Sequence, residues 1–281
     1  AGPSLTASRA TVKRRNNNEK TLKGDVMSTP TIDQISRHYS VRAYRPDPVP
    51  VEMVEQIVAA GQRASTSSNM QTYSVVAVTG AQKRARLAEV AANQVQILHA
   101  PLFLTWCADL SRLDRVCHTQ GYELVAGYVE SFLVSAVDAA LAIQNAALTA
   151  ESLGLGICYI GAIRNDPAAV IDLLELPQLV FPVSGMTVGW PAAEPFLRPR
   201  LPLNAILHWE AYDTGGEAEA LADFDQAMIE TGIYDGRQVP VPGREGEMQD
   251  YGWREHTARR VSAPVRTHLR RVLERQGFAL K

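Results

Sequence analysis

Phe132–Gly156 reads FLVSAVDAALAIQNAALTAESLGLG, and the way this stretch is covered decides the fold. It holds no proline and closes on Gly154 and Gly156, residues that end helices. Extended back to Tyr122, it predicts one long helix over 122–153. From Phe132 to Ala150 nearly every face is apolar or small, and such a helix must be covered all round. A single small domain cannot surround it, so the pattern predicts a homodimer built on this helix.

Upstream, residues 31–37 can open a short helix, and Val51, Val54, Ile57 and Val58 place an amphipathic helix over 51–63. Residues 64–71 form a small-polar loop. Strands are predicted at 74–79, 101–109, 157–163 and 181–190, with helices at 82–92 and from Asp166-Pro167, a cap and first-turn pair, through Leu174. Downstream come an exposed helix over 217–231, a loop at 240–246, and a helical stretch over 253–276 broken near Pro264. Few strands, many helices and no βαβ alternation predict an α+β fold.

The 281 residues are 46% hydrophobic and 21% charged, enough for a real core, and the net charge of -2 excludes a domain-wide nucleic-acid footprint. Cys107, Cys117 and Cys158 form no C-x-x-C pair and no disulfide framework, which leaves zinc unsupported and a reduced compartment expected. No stretch is read as reaching the roughly 18 apolar residues of a membrane span. Residues 1–26 are polar and basic, expected to be a disordered leader or an expression remnant before a natural start at Met27; a transit peptide is the alternative. Residues 27–281 then form a single domain, with a C-terminal extension from about 213 to 281.

Three polar clusters stand outside the core pattern: His38-Tyr39-Ser40-Val41-Arg42, the loop Ser65–Gln71, and Arg198-Pro199-Arg200. Each alone has a plainer reading, as solvated surface or simple loop. No Walker or Rossmann glycine fingerprint, nucleophile elbow or H-E-x-x-H is present.

Taken together, and with Arg63–Gln71, Gln94, Cys107-Ala108-Asp109, Ala150–Gly156, Tyr159–Asn165, Gly189-Trp190-Pro191 and Arg198–Pro202, the chain resembles the nitroreductase and flavin reductase family. The likeness runs from about Pro30 to Tyr212 and is greatest to oxygen-insensitive NADPH nitroreductases. It implies a nitroreductase-like fold, a mostly antiparallel sheet flanked by helices in an intertwined dimer. It also implies FMN as cofactor and NADPH, with NADH as the alternative, as electron source.

The resemblance assigns residues. His38, Ser40, Arg198 and Arg200 match positions holding the FMN phosphate, with Tyr39 in the same stretch. Arg42 matches the cation beside the flavin's pyrimidine end. Ser65, Ser67, Ser68, Asn69 and Gln71 match the loop facing the ribityl chain and pyrimidine, here one residue shorter than in relatives. Gln94 matches a pyrimidine contact, and Tyr159, Ile160, Gly161 and Ala162 match the strand passing the flavin N5. Glu130 matches a contact from the partner subunit, or is a polar residue on a half-exposed turn. For a nicotinamide 2′-phosphate the family uses an arginine before a proline, where this chain has Ala263. Arg237 and Arg244 are the candidates, ahead of a basic face at Arg259 and Arg260. The implied activity is two-electron ping-pong transfer to nitroaromatic, quinone or flavin acceptors. The protein is expected in the cytoplasm, with small molecules as partners and neither nucleic acid, membrane nor metal. A specialised relative such as a reductive dehalogenase, or a non-catalytic flavin-binding protein, is the alternative.

Overall fold

The computed structural model describes residues 28–193, 196–241 and 243–281; the leader expected over residues 1–26 and the start at Met27 lie outside them. In chain order the elements are α1 (Pro30–Ser36), α2 (Val51–Gly61), β1 (Tyr73–Val78), α3 (Ala81–Val90), α4 (Val95–His99), β2 (Leu102–Asp109), α5 (Ser111–Thr119) and α6 (Val129–Ser152). They continue with β3 (Gly156–Ile160), α7 (Pro167–Leu174), β4 (Val180–Gly189), α8 (Glu217–Glu230), β5 (Gln238–Pro240), β6 (Met248–Asp250), α9 (Trp253–Val261) and α10 (Leu269–Arg275).

Four strands form one antiparallel sheet in the order β1-β2-β4-β3. Helices cover both of its faces. Leu102, Leu104, Trp106, Ile157, Met186 and Val188 face α2 and α6 through Ile57, Ala142 and Ala146. Phe103, Cys107, Cys158, Ile160 and Phe181 face α7 and α10 through Val170 and Leu273, and Phe278 of the C-terminal segment. A strand covered on both faces needs apolar residues at every position, which is why β2 reads as an unbroken buried run.

The long helix begins at Val129, seven residues later than expected from Tyr122. The C-terminus is the reason: Lys281 donates its backbone N–H to Gly127 O (2.8 Å) and accepts one from Val129 N (3.4 Å), holding the 122–128 segment extended. By length and composition α6 would suffice to cross a membrane, with a mean hydropathy of 1.4 over its best window, so the sequence reading on that point was too restrictive. Nor is it covered all round in this chain. Ala139, Ala142, Ala146 and Ala150 pack inward, whereas Val129, Leu133, Val137 and Leu141, four residues apart, remain exposed.

Other departures are local. The strand predicted to Ile163 stops at Ile160, and Gly161–Asn165 coils into a single 3-10 turn. α4, α5 and the β5–β6 hairpin have no counterpart in the sequence reading, and α8 buries Ala220, Phe224, Asp225 and Met228 instead of lying exposed.

Candidate active site

His38–Arg42 lies along the free edge of β3. Ser40 pairs with Ile157 in a parallel bridge, and Val41 N donates to Ile157 O at 2.8 Å. The approach requires Gly156, since a Cβ there would enter the Val41 side chain. Val41 is buried while Ser40 and Arg42 face outward. Tyr44 fixes the stretch from below: its hydroxyl donates to Val41 O (2.8 Å) and meets Thr187 Oγ1 (2.7 Å), and burial raises its phenol well above the ordinary value.

His38 Nδ1 lies 2.5 Å from Glu151 Oε1 at the end of α6. The carboxylate is nearly buried and its other oxygen has no partner. An ionised carboxylate only accepts, so Nδ1 carries the proton and the imidazole orientation is set by Glu151.

The loop after α2 is held by Asp138, a carboxylate 1% exposed in the middle of α6. Its Oδ1 accepts from Ser67 N (3.0 Å); its Oδ2 accepts from Thr72 N (3.1 Å) and Thr72 Oγ1 (2.8 Å). Arg112 adds a bond from Nη1 to Gln71 O at 2.9 Å. Between these anchors Ser68, Asn69 and Gln71 adopt left-handed φ of 48°, 56° and 54°. Non-glycine residues in that region carry strain of roughly 1–3 kcal/mol each and are sustained only where surroundings dictate them. Ser65, Ser67, Ser68, Asn69 and Gln71 are thereby exposed on a fixed frame.

At the end of β3, Arg164 Nη2 comes within 3.2 Å of where a Gly161 Cβ would stand, and the same guanidinium donates to Val183 O. In the middle of the strand, burial raises the Cys158 thiol, and the charges of Arg42 and Arg198 act against that rise. Arg200 donates to the carbonyls of Arg198 (3.1 Å) and Pro199 (3.3 Å). Among the described residues, Arg42, Arg198 and Arg200 have no carboxylate within 4 Å. Cations without counter-charge, together with a half-buried histidine and an exposed serine, suit a dianionic phosphate. The donor set thus fits the FMN expected from sequence.

Arg198 and Arg200 also line a pocket of about 530 Å³ against the C-terminal segment, with Phe224, Tyr234, Trp253 and His256. Arg237 stands over the Tyr251 ring at 5.7 Å, and Arg259 reaches the same ring at 5.9 Å while pairing with Glu255. Arg244 is engaged by Glu247 at 3.1 Å within the hairpin.

Some expected residues are not drawn in by side-chain contacts. Gln94 accepts from Gln96 Nε2 at 2.7 Å. The Tyr159 hydroxyl turns to Gln144 Oε1 (2.9 Å) on α6, leaving only its backbone to β3's end. Glu130 is exposed on the first turn of α6. Asp138, Glu151 and Arg164 were given no role from sequence. A lone carboxylate inside an apolar helix was a usable signal for Asp138, because such a group is buried only when paired.

Comparison with known proteins covers most of the chain. The profile described as "Nitroreductase family" matches residues 35–190, and "Nitroreductase family, C-terminal domain" matches 198–281. An FMN reductase [NAD(P)H] of Bacillus subtilis is 36% identical over 254 residues, spanning 89% of this chain and 98% of the relative. An oxygen-insensitive NADPH nitroreductase of Salmonella typhimurium is 33% identical over 253 residues, spanning 90% and 100%. The solved structure of B. megaterium NfrA2 superposes with a TM-score of 0.83 at 35% identity, covering 90% of this chain and all of that one.

Proposed function

The chain belongs to the nitroreductase family and is an NAD(P)H-dependent oxidoreductase with FMN as its cofactor, and from this premise we propose that it passes two electrons, in ping-pong order, from a nicotinamide to nitroaromatic, quinone or free-flavin acceptors. The observation that carries this reading is that Arg42, two residues after the Ser40 bridge to β3, and Arg198 and Arg200, side by side on the pocket wall, have no carboxylate partner among the described residues. FMN, when bound, supplies the ring that takes up and gives back a hydride.

The protein's part is binding and electrostatics. Arg198, Arg200, Ser40 and the free ring nitrogen of His38 hold the phosphate, with Glu151 fixing the imidazole and Tyr39 completing the stretch. Arg42 sets a cation where negative charge gathers on reduction. Ser65, Ser67, Ser68, Asn69, Gln71 and Gln94 serve the ribityl chain and pyrimidine edge, and the backbone from Tyr159 through Ile160 and Gly161 to Ala162 lies against the ring. Glu130 contributes from the partner of a homodimer, for which the exposed stripe Val129, Leu133, Val137 and Leu141 is the support. Arg237 takes the nicotinamide 2′-phosphate ahead of Arg244, whose charge Glu247 already occupies. For a nitro compound the balance is R–NO2 + NAD(P)H + H+ giving R–NO, NAD(P)+ and water. Residues 27–281 act as one domain, and the three free thiols suit a cytoplasmic setting.

Purified protein should release FMN on heating and oxidise NADPH with a quinone, giving parallel double-reciprocal lines. Bound FMN without turnover would favour a non-catalytic flavin-binding protein. Converging lines would remove the ping-pong order. Arg42→Ala should lower the flavin midpoint potential; an unchanged potential would take Arg42 out of its role. NADPH preference should fall with salt and in Arg237→Ala.

A further inference from the structure

A second group of cations lies around the turn that begins at Gly161 and takes no part in holding FMN. Arg164 is the penultimate residue of the turn that follows β3, and its guanidinium is packed against Gly161. Arg266, on the segment between α9 and α10, donates from Nε to the side chain of the next residue, Asn165 Oδ1, at 3.0 Å. It does so with a left-handed φ of 55°, a conformation that a non-glycine residue holds only when its surroundings require it. Arg260 stands in the last turn of α9, six residues before Arg266 in the chain.

Among the described residues none of the three has a carboxylate within 4 Å. Burial and then the Arg266 charge push Arg164 below its ordinary pKa; burial and then Arg260 do the same to Arg266. Like charges brought together and partly desolvated are unfavourable unless an anion enters. The strained backbone at Arg266 holds this arrangement in place instead of relieving it.

We propose that Arg164 and Arg266, with Arg260 of the adjoining α9 adding charge, form an anion subsite beside the Gly161 turn, and that it selects electron acceptors carrying a carboxylate or comparable oxyanion. Planar guanidinium forks match such groups in two-point contact. This rests on the proposed function for placing the acceptor at that turn. A ring anchored there by its anionic substituent would present its reducible group to the same strand end that borders the flavin. Neutral acceptors of the same shape would lack the anchor.

The test uses holoenzyme and benzoate as the probe, followed by calorimetry and by perturbation of the flavin spectrum. Benzoate should bind, with affinity falling as salt rises. Arg266→Gln and the surface variant Arg260→Gln should each weaken it by about tenfold or more, as loss of a charged hydrogen bond implies. Arg266→Lys, which keeps the charge, should recover part of the loss. In turnover, the KM for 4-nitrobenzoate should lie below that for 4-nitrobenzyl alcohol in wild type, and the two should converge in Arg260→Gln. Benzoate binding that is equal in wild type and both glutamine variants would overturn the subsite, as would equal KM values in the wild type. Should the protein fail to oxidise NAD(P)H, the proposed function falls, while calorimetry with benzoate still decides the subsite.

Discussion

Removing the Asp138 carboxylate strands three donors, the amides of Ser67 and Thr72 and the Thr72 hydroxyl. Asp138→Ala should therefore cost about 1–3 kcal/mol for each donor left buried and unpaired. The loss is read from the urea midpoint, and flavin fluorescence titration should show weaker FMN binding. Asp138→Asn keeps an acceptor oxygen and should lie between. Asp109 gives a pH-dependent counterpart. Burial alone would raise its carboxyl, but donors from Ser111 and Ser74 and the Arg112 charge bring it below the ordinary range. A depressed folded value stabilises the protein above the unfolded pKa of about 4 and is lost as pH falls through the folded value. Asp109→Asn should be less stable at pH 7 yet lose less on further acidification below about pH 4, measured by denaturation at a series of pH values. At this scale the Arg, His and Ser clusters were legible as polar stretches outside the core pattern, and only the family resemblance assigned them to a flavin. It did not show Asp138, Glu151 or Arg164 in their roles. Their partners lie on other elements, 66 residues away for Asp138 and Thr72 and 113 for His38 and Glu151.

Elements were legible where a local signal coincided with tertiary demand. α7 is the clearest instance. Asp166 caps it through Ala169 N, Pro167 opens it, and the helix ends at Leu174 as read. Asp166→Ala should lower stability by about 1 kcal/mol, visible as a small fall in Tm. β2 was legible because both its faces are covered. α5 was not: its charged surface hides a weak apolar side, and its first turn is satisfied by Asp109, a strand residue that accepts from Ser111 N at 2.9 Å. The late start of α6 was equally hidden, since it depends on the last residue of the chain pairing with Gly127.

For the whole molecule, the stripe of Val129, Leu133, Val137 and Leu141 is the surface with most at stake. Leu133→Glu combined with Leu141→Glu should turn a dimer into a monomer by light scattering and weaken FMN binding with it. A wild-type protein that is monomeric at micromolar concentration and retains FMN would remove the dimer from the proposed function. The same helix carries Asp138 on its inner side, and the way that carboxylate grips the loop has an evolutionary consequence. It clasps mainly main-chain N–H groups at the two ends, Ser67 and Thr72, and almost nothing between them. Main-chain amides are offered by nearly every residue type, so the interior of the clasp can be rewritten without loosening its ends. The side chains presented to incoming molecules can thus change while the scaffold beneath stays constant.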